Sequence, residues 1–112
     1  MKLMTKQLQK TIPKPFENEN SSIKDRVIYA HYFAPLVNFD WFVYEYDAEE
    51  GIFFGFANLN NPDCAELGYF TLQEFEEINK EHGFQLIERD MYFKQGSTAE
   101  VAEMYPILSK LL

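Results

Sequence analysis

Residues 27–58 read VIYAHYFAPLVNFDWFVYEYDAEEGIFFGFAN, and composition alone picks three strands out of them. Val27–Phe33 is a β-branched and aromatic run closed by Pro35; such residues suit a pleated, half-buried surface. Phe39–Asp47 is a second strand. Its alternation predicts Phe39, Trp41, Val43 and Glu45 on one face and Asp40, Phe42, Tyr44 and Tyr46 on the other. The acidic turn AEEG leads to a third strand, Ile52–Asn58, and so brief a connection predicts an antiparallel hairpin.

Upstream, Thr5 is placed to cap a helix over 6–12 with Leu8 and Ile12 on one face, stopped by Pro13 and Pro15. The polar stretch Glu17–Lys24 reads as a loop. Downstream, LNNPD (59–63) is a loop and Glu66–Phe70 a fourth strand. Thr71 and Glu74 then form a predicted capping box, with Phe70 and Phe75 at the staple positions. The helix they open buries Leu72, Phe75 and Ile78, turns Glu74, Glu76, Glu77 and Glu81 to water, and stops at Gly83. Phe84–Phe93 is expected to be a fifth strand. Ser97 and Glu100 cap a last helix, which Pro106 kinks or restarts.

The expected fold class is α+β: a mostly antiparallel sheet of about five strands with an N-terminal helix, a capped central helix and a C-terminal helix. Large apolar side chains on both sides of several strands imply that helices cover at least part of each face. One domain is expected over 1–112, with a basic helix and loop (1–26), the sheet and central helix (27–94) and the C-terminal helix (95–112). Aromatic residues make up 17% of the chain, enough for a short sequence to build a core without staples. A single cysteine, Cys64, excludes a disulfide framework and a multi-cysteine metal knuckle. No apolar run approaches the roughly 20 residues that span a bilayer, and MKLMTKQLQK lacks the apolar core of a secretory signal. A reducing, cytoplasmic setting away from membranes is expected.

The net charge is −8. Residues 1–26 carry six Lys/Arg and three Asp/Glu, whereas 27–112 carry four and fifteen. Nucleic-acid binding needs cations to displace condensed counterions, so the acidic body is a poor phosphate-tracking surface.

Five segments, MKLMTKQLQKTIP, YFAPLVNFDWFVYEYD, FFGFAN, AELGYFTLQEFEEI and LIERDMYF, occur in an order that resembles the bacterial family called domain of unknown function 2958. The pairing of ELGYF-(S/T)-L with a later IERD-x-x-F is its most specific feature. The matching positions are Trp41, Glu45, Phe54, Gly55, Glu66, Leu67, Gly68, Tyr69, Phe70, Leu72, Glu88, Arg89, Asp90 and Phe93. The resemblance runs from residue 1 to about 94, with departures around Leu59–Cys64. It implies a small bacterial protein, often encoded on plasmids, phages and conjugative elements, with no assigned activity.

Three functions are open at this point. The first is a non-enzymatic module that binds a protein partner through an aromatic sheet face bordered by carboxylates, with Trp41, Tyr44, Glu45, Tyr69, Glu88 and Asp90 at the contact. Such a surface suits an inhibitor that offers negative charge to a host nucleic-acid enzyme. The second is a metal-dependent hydrolase acting on nucleic acid. In it Glu45, Glu66, Glu88 and Asp90 hold Mg²⁺ or Mn²⁺, hard cations that prefer oxygen ligands. The third is a single-strand binder stacking bases on exposed rings, although no Lys or Arg interleaves the rings between Val27 and Cys64. Cofactor-free binding is the expectation under the first. His31 is expected to be a hydrogen-bonded strand residue and His82 a cation at a helix C-terminus. A Cys64–His31 nucleophile pair lacks a supporting flanking motif.

Overall fold

The computed structural model describes residues 1–17 and 21–112. Part of the loop expected over Glu17–Lys24 lies outside the described residues. Helix α1 (Lys6–Thr11) starts where Thr5 Oγ1 accepts the Leu8 N–H at 3.1 Å. The strands are β1 (Val27–Ile28), β2 (Ala30–Ala34), β3 (Phe39–Asp47), β4 (Ile52–Leu59) and β5 (Glu66–Thr71), with a 3-10 turn at Pro62–Cys64 before β5. Helix α2 (Leu72–His82) follows, then β6 (Glu88–Arg89), β7 (Gly96–Ser97), helix α3 (Thr98–Ala102) and a 3-10 stretch, Pro106–Leu111.

The main sheet has the order β5-β4-β3-β2-β6 and all its neighbours are antiparallel. β1 pairs instead with β7, so the run expected as one strand over Val27–Phe33 divides at Tyr29 between two sheets. Tyr29 still donates its N–H to the Val43 carbonyl at 2.9 Å, which holds the junction against β3.

Both faces of the sheet are covered. On one, Tyr32, Trp41, Val43, Tyr46, Phe53 and Phe70 pack under Phe75 of α2 and under Leu3 and Ile12 from the N-terminal segment. On the other, Ile28, Phe42, Tyr44 and Phe56 pack under Val101, Ala102 and Leu108 of the C-terminal segment. Each large side chain so buried contributes roughly 1.5–3 kcal/mol, which is how a short chain sustains two cores.

The face assignment along β3 differs from strict alternation. A β-bulge falls between Val43 and Glu45, where Val43 pairs with Gly55 and Glu45 with Phe54. The extra residue, Tyr44, reverses the alternation beyond it. Tyr46 therefore joins the α2 side, 4.6 Å from the Phe53 ring, while Tyr44 packs under the C-terminal segment. The bulge also explains Gly55: a Cβ there would lie 1.9 Å from the Phe42 carbonyl oxygen.

The fifth strand is much shorter than the expected Phe84–Phe93, because only Glu88 and Arg89 pair, with Phe33 and Tyr32. Before them, a side chain substitutes for a neighbouring strand. Asn79 accepts the Ile87 N–H at 2.7 Å and donates to the Ile87 carbonyl at 3.0 Å. After them, Asp90 Oδ1 accepts the Tyr92 N–H and the chain turns away.

The α2 signals form as the residues suggest. Thr71 Oγ1 accepts the Glu74 N–H at 3.0 Å, although the Glu74 carboxylate closes on the Thr71 hydroxyl rather than on its backbone. Gly83 ends the helix with φ of 72°. The Ser97–Glu100 box is reciprocal: Glu100 Oε1 accepts the Ser97 N–H at 2.9 Å and Ser97 Oγ accepts the Glu100 N–H at 3.2 Å. Pro106 starts the separate 3-10 stretch, one of the two outcomes expected for it.

Candidate functional site

His31 stands in the middle of β2 on the side covered by the C-terminal segment, and it is 3% exposed. Its Nε2 lies 2.7 Å from Asp40 Oδ1 and its Nδ1 2.9 Å from Asp90 Oδ2. Each ring nitrogen therefore faces one carboxylate oxygen within hydrogen-bond distance. The Tyr105 hydroxyl donates to the same Asp90 oxygen at 3.3 Å. The ring stacks on Phe42 at 4.6 Å and meets Tyr105 at 4.9 Å. Burial, and then the Asp90 and Asp40 carboxylates, hold the Tyr105 phenol above its usual range. The cluster clasps β2, β3, the turn after β6 and the C-terminal segment. Both imidazole nitrogens face carboxylates, so neither is left open for a substrate. Cys64 is exposed, with its Sγ accepting from Asn61 Nδ2 at 3.3 Å, and it does not share the clasp. His82 donates from Nδ1 to the Ile78 carbonyl at the end of α2.

The residues expected at a partner contact separate. Trp41 is buried 4.7 Å from the Phe75 ring. Tyr44 is buried with its hydroxyl 2.6 Å from Thr98 Oγ1, and burial pushes its phenol up. Glu45 is buried, Glu88 is half-buried on β6, and Asp90 belongs to the clasp. Of these expected residues, only Tyr69, 72% exposed on β5, stands at the surface as an aromatic contact. The aromatic sheet face that a partner or a single strand was expected to reach is covered on both sides. Local alternation cannot reveal this, because the covering residues Val101, Ala102 and Leu108 lie in short segments distant in sequence.

The four carboxylates considered for a metal also stay apart. Glu66 lies on β5 and Glu88 on β6, the opposite edges of the sheet, roughly 19 Å across four strand spacings. Among the described residues no group of three or more His, Cys, Asp or Glu side chains is arranged to hold a metal ion. No helix among the described residues is long and apolar enough to cross a membrane.

Two grooves flank α2. The larger, about 690 Å³, lies between Met1–Met4 and the helix. Its N-terminal wall is pinned by Tyr32 Oη donating to the Leu3 carbonyl at 2.6 Å and by Arg89 Nε donating to the Lys2 carbonyl at 3.0 Å. The other, about 320 Å³, opens between α2 and β5 beside Tyr69. Phe39, Trp41, Leu59, Phe75 and Ile78 line it, and Glu66 and Glu74 stand at it. Sequence reasoning missed this groove, although Gly68 in a strand that needs no turn was a signal for it.

One long stretch of the chain carries charge of a single sign. From Val27 to Asn79 the chain has ten Asp/Glu and no Lys or Arg. Of those ten, Glu49, Glu50, Asp63, Glu66, Glu74, Glu76 and Glu77 are exposed.

No curated protein and no solved structure matches the chain. A family model described as "Protein of unknown function (DUF2958)" matches residues 3–104, past Lys94 and through α3. With that match covering nearly all of its length, the chain belongs to the DUF2958 family.

Proposed function

We propose that the protein is a binding module rather than an enzyme, an acidic accessory protein of a bacterial mobile genetic element that engages a protein partner in the cytoplasm. The observation that carries this reading is the run from Val27 to Asn79, free of Lys and Arg and bearing seven exposed carboxylates. Exposed carboxylates of this kind steer and select a basic partner. Proteins that handle nucleic acid present such basic surfaces, which supports inhibition of a host nucleic-acid enzyme as its effect. The engagement of His31 by two carboxylates favours the same reading, since it leaves that ring as structure rather than as a general base.

The test is affinity capture from a bacterial lysate across a salt series, comparing the wild type with a Glu66→Lys/Glu74→Lys/Glu77→Lys variant. Retention of a basic protein by the wild type, its release by salt or by added duplex DNA, and its loss with the variant support the proposal. Capture of nothing, or of the same set by both proteins, contradicts it.

A further inference from the structure

We infer that the outer edge of β5, together with the groove beside α2, is a strand-addition site for an extended, Lys- or Arg-rich segment of a protein partner. β5 is a terminal strand of the sheet, and among the described residues no other strand pairs with its outer side. Alternate residues of such an edge turn N–H and C=O groups outward, ready to pair with an added strand. Gly68 lies at the centre of that edge. Its φ is not positive, and a Cβ built on it would meet nothing within 4 Å. Neither a turn nor crowding within the fold therefore calls for glycine, in contrast to Gly55, where the Phe42 carbonyl forbids any side chain. Glycine weakens a strand interior, and where the fold itself does not require it, it marks a close approach by another chain.

Gly68 pairs with Gly55 on the side that α2 covers, between Glu66 and Phe70. A side chain opposite it on an added strand enters the apolar groove lined by Phe39, Trp41, Leu59 and Ile78. Glu66 and Glu74 stand at the groove, no Lys or Arg lines it, and Tyr69 presents an exposed ring along the edge. Cationic side chains on the α2 side of the incoming segment answer those carboxylates, and those on its other face answer the Tyr69 ring, which turns to the Phe54 side of the sheet. A second copy of this chain is a poor occupant, because edge-to-edge pairing brings two Glu66-bearing strands together in a protein of net charge −8. This inference rests on the reading of the protein as a binding module and names the site and the chemistry of the segment it takes.

The test titrates isotope-labelled full-length protein with a capped Lys–Val octapeptide whose central Val is flanked by Lys two residues away on either side, so that all three share one face, and separately with its Glu–Val counterpart, following amide shifts. Expected are shifts concentrated in residues 66–74 with the Lys–Val peptide and none with the Glu–Val peptide. Gly68→Val should weaken binding by at least ~10-fold while keeping the melting temperature, since a β-branched residue suits an edge with open space. Glu66→Gln/Glu74→Gln should weaken it and flatten its salt dependence. Shifts centred elsewhere, equal binding of both peptides, unchanged binding by Gly68→Val, no binding at millimolar peptide, or sedimentation of the free protein as a β5-linked dimer each overturn the inference. Partner capture from lysate that persists with Gly68→Val overturns this site alone and leaves the module reading standing. Failure of the wild type to capture any partner removes that reading instead.

Discussion

His31 and Asp90 are joined twice across 59 residues of chain: Asp90 Oδ2 lies 2.9 Å from the ring Nδ1, and the Asp90 N–H donates to the His31 carbonyl at 2.9 Å. One contact fixes the ring and the other fixes the backbone that carries the carboxylate. Asp90→Ala removes the first, together with the Tyr105 and Tyr92 contacts of the same carboxylate, and leaves a buried imidazole facing Asp40 alone. Equilibrium urea unfolding should show a loss of about 2–4 kcal/mol, against about 1 kcal/mol for Tyr105→Phe, which deletes only the longer hydroxyl contact. Equal losses for the two variants would contradict the role given to the clasp.

Alkaline stability should reflect the buried phenols. The pKa values of Tyr32, Tyr44 and Tyr105 are all raised in the folded chain, in each case with burial as the leading cause. A group with a raised folded pKa holds its proton more tightly in the native state than in the unfolded state. Its stabilisation is complete below the unfolded value near 10 and is lost as pH climbs toward the folded value. Urea midpoints should therefore be insensitive to tyrosine ionisation at pH 8–9 and fall above about pH 10. Tyr44→Phe should make that fall shallower. A midpoint that stays constant through the alkaline range would count against buried, neutral tyrosines.

Asn79 stands in for a strand by satisfying both backbone groups of Ile87. Asn79→Ala leaves those groups without their partner and should cost about 2 kcal/mol. Hydrogen exchange supplies the local readout: the Ile87 amide should lose its protection first, ahead of the β3 and β4 amides.

The two paired glycines should respond in opposite ways. Gly55→Ala drives a methyl into the Phe42 carbonyl and should lower stability by about 2–3 kcal/mol. Gly68→Ala meets open space and should be neutral or gain about 0.5 kcal/mol. Thermal melts of the two variants side by side decide this, and similar losses in both would remove the argument that Gly68 is free of folding constraints.

Much of this architecture was legible in local chemistry. Thr71, Glu74 and Gly83 delimit α2, Ser97 and Glu100 open α3, and the ring-rich runs from Phe39 and from Ile52 become the two long central strands. The bulge at Tyr44 was not legible, since it depends on which residues of β4 lie opposite rather than on the alternation of β3 itself. Nor was the shortening of the last strand, where the Asn79 side chain takes the place of a ladder. The clasp was half legible. The β2–β3 register sets Phe33 opposite Asp40 and His31 opposite Phe42, so Asp40 falls on the same side as His31 two pairs along. Asp90 arrives only through the pairing of β6 with β2, a contact between residues far apart in sequence. The expected docking residues Trp41 and Tyr44 follow the same logic: their apolar character is visible in the sequence, and the segments that bury them are not.

The most direct test of the central claim is photo-crosslinking in living bacteria from a benzoyl-phenylalanine placed at position 69, exposed on the β5 edge. The account predicts a discrete crosslinked species containing one basic protein, abolished when Glu66→Lys and Glu74→Lys are added. A chain that crosslinks to nothing, or to the same species after both charge reversals, contradicts it.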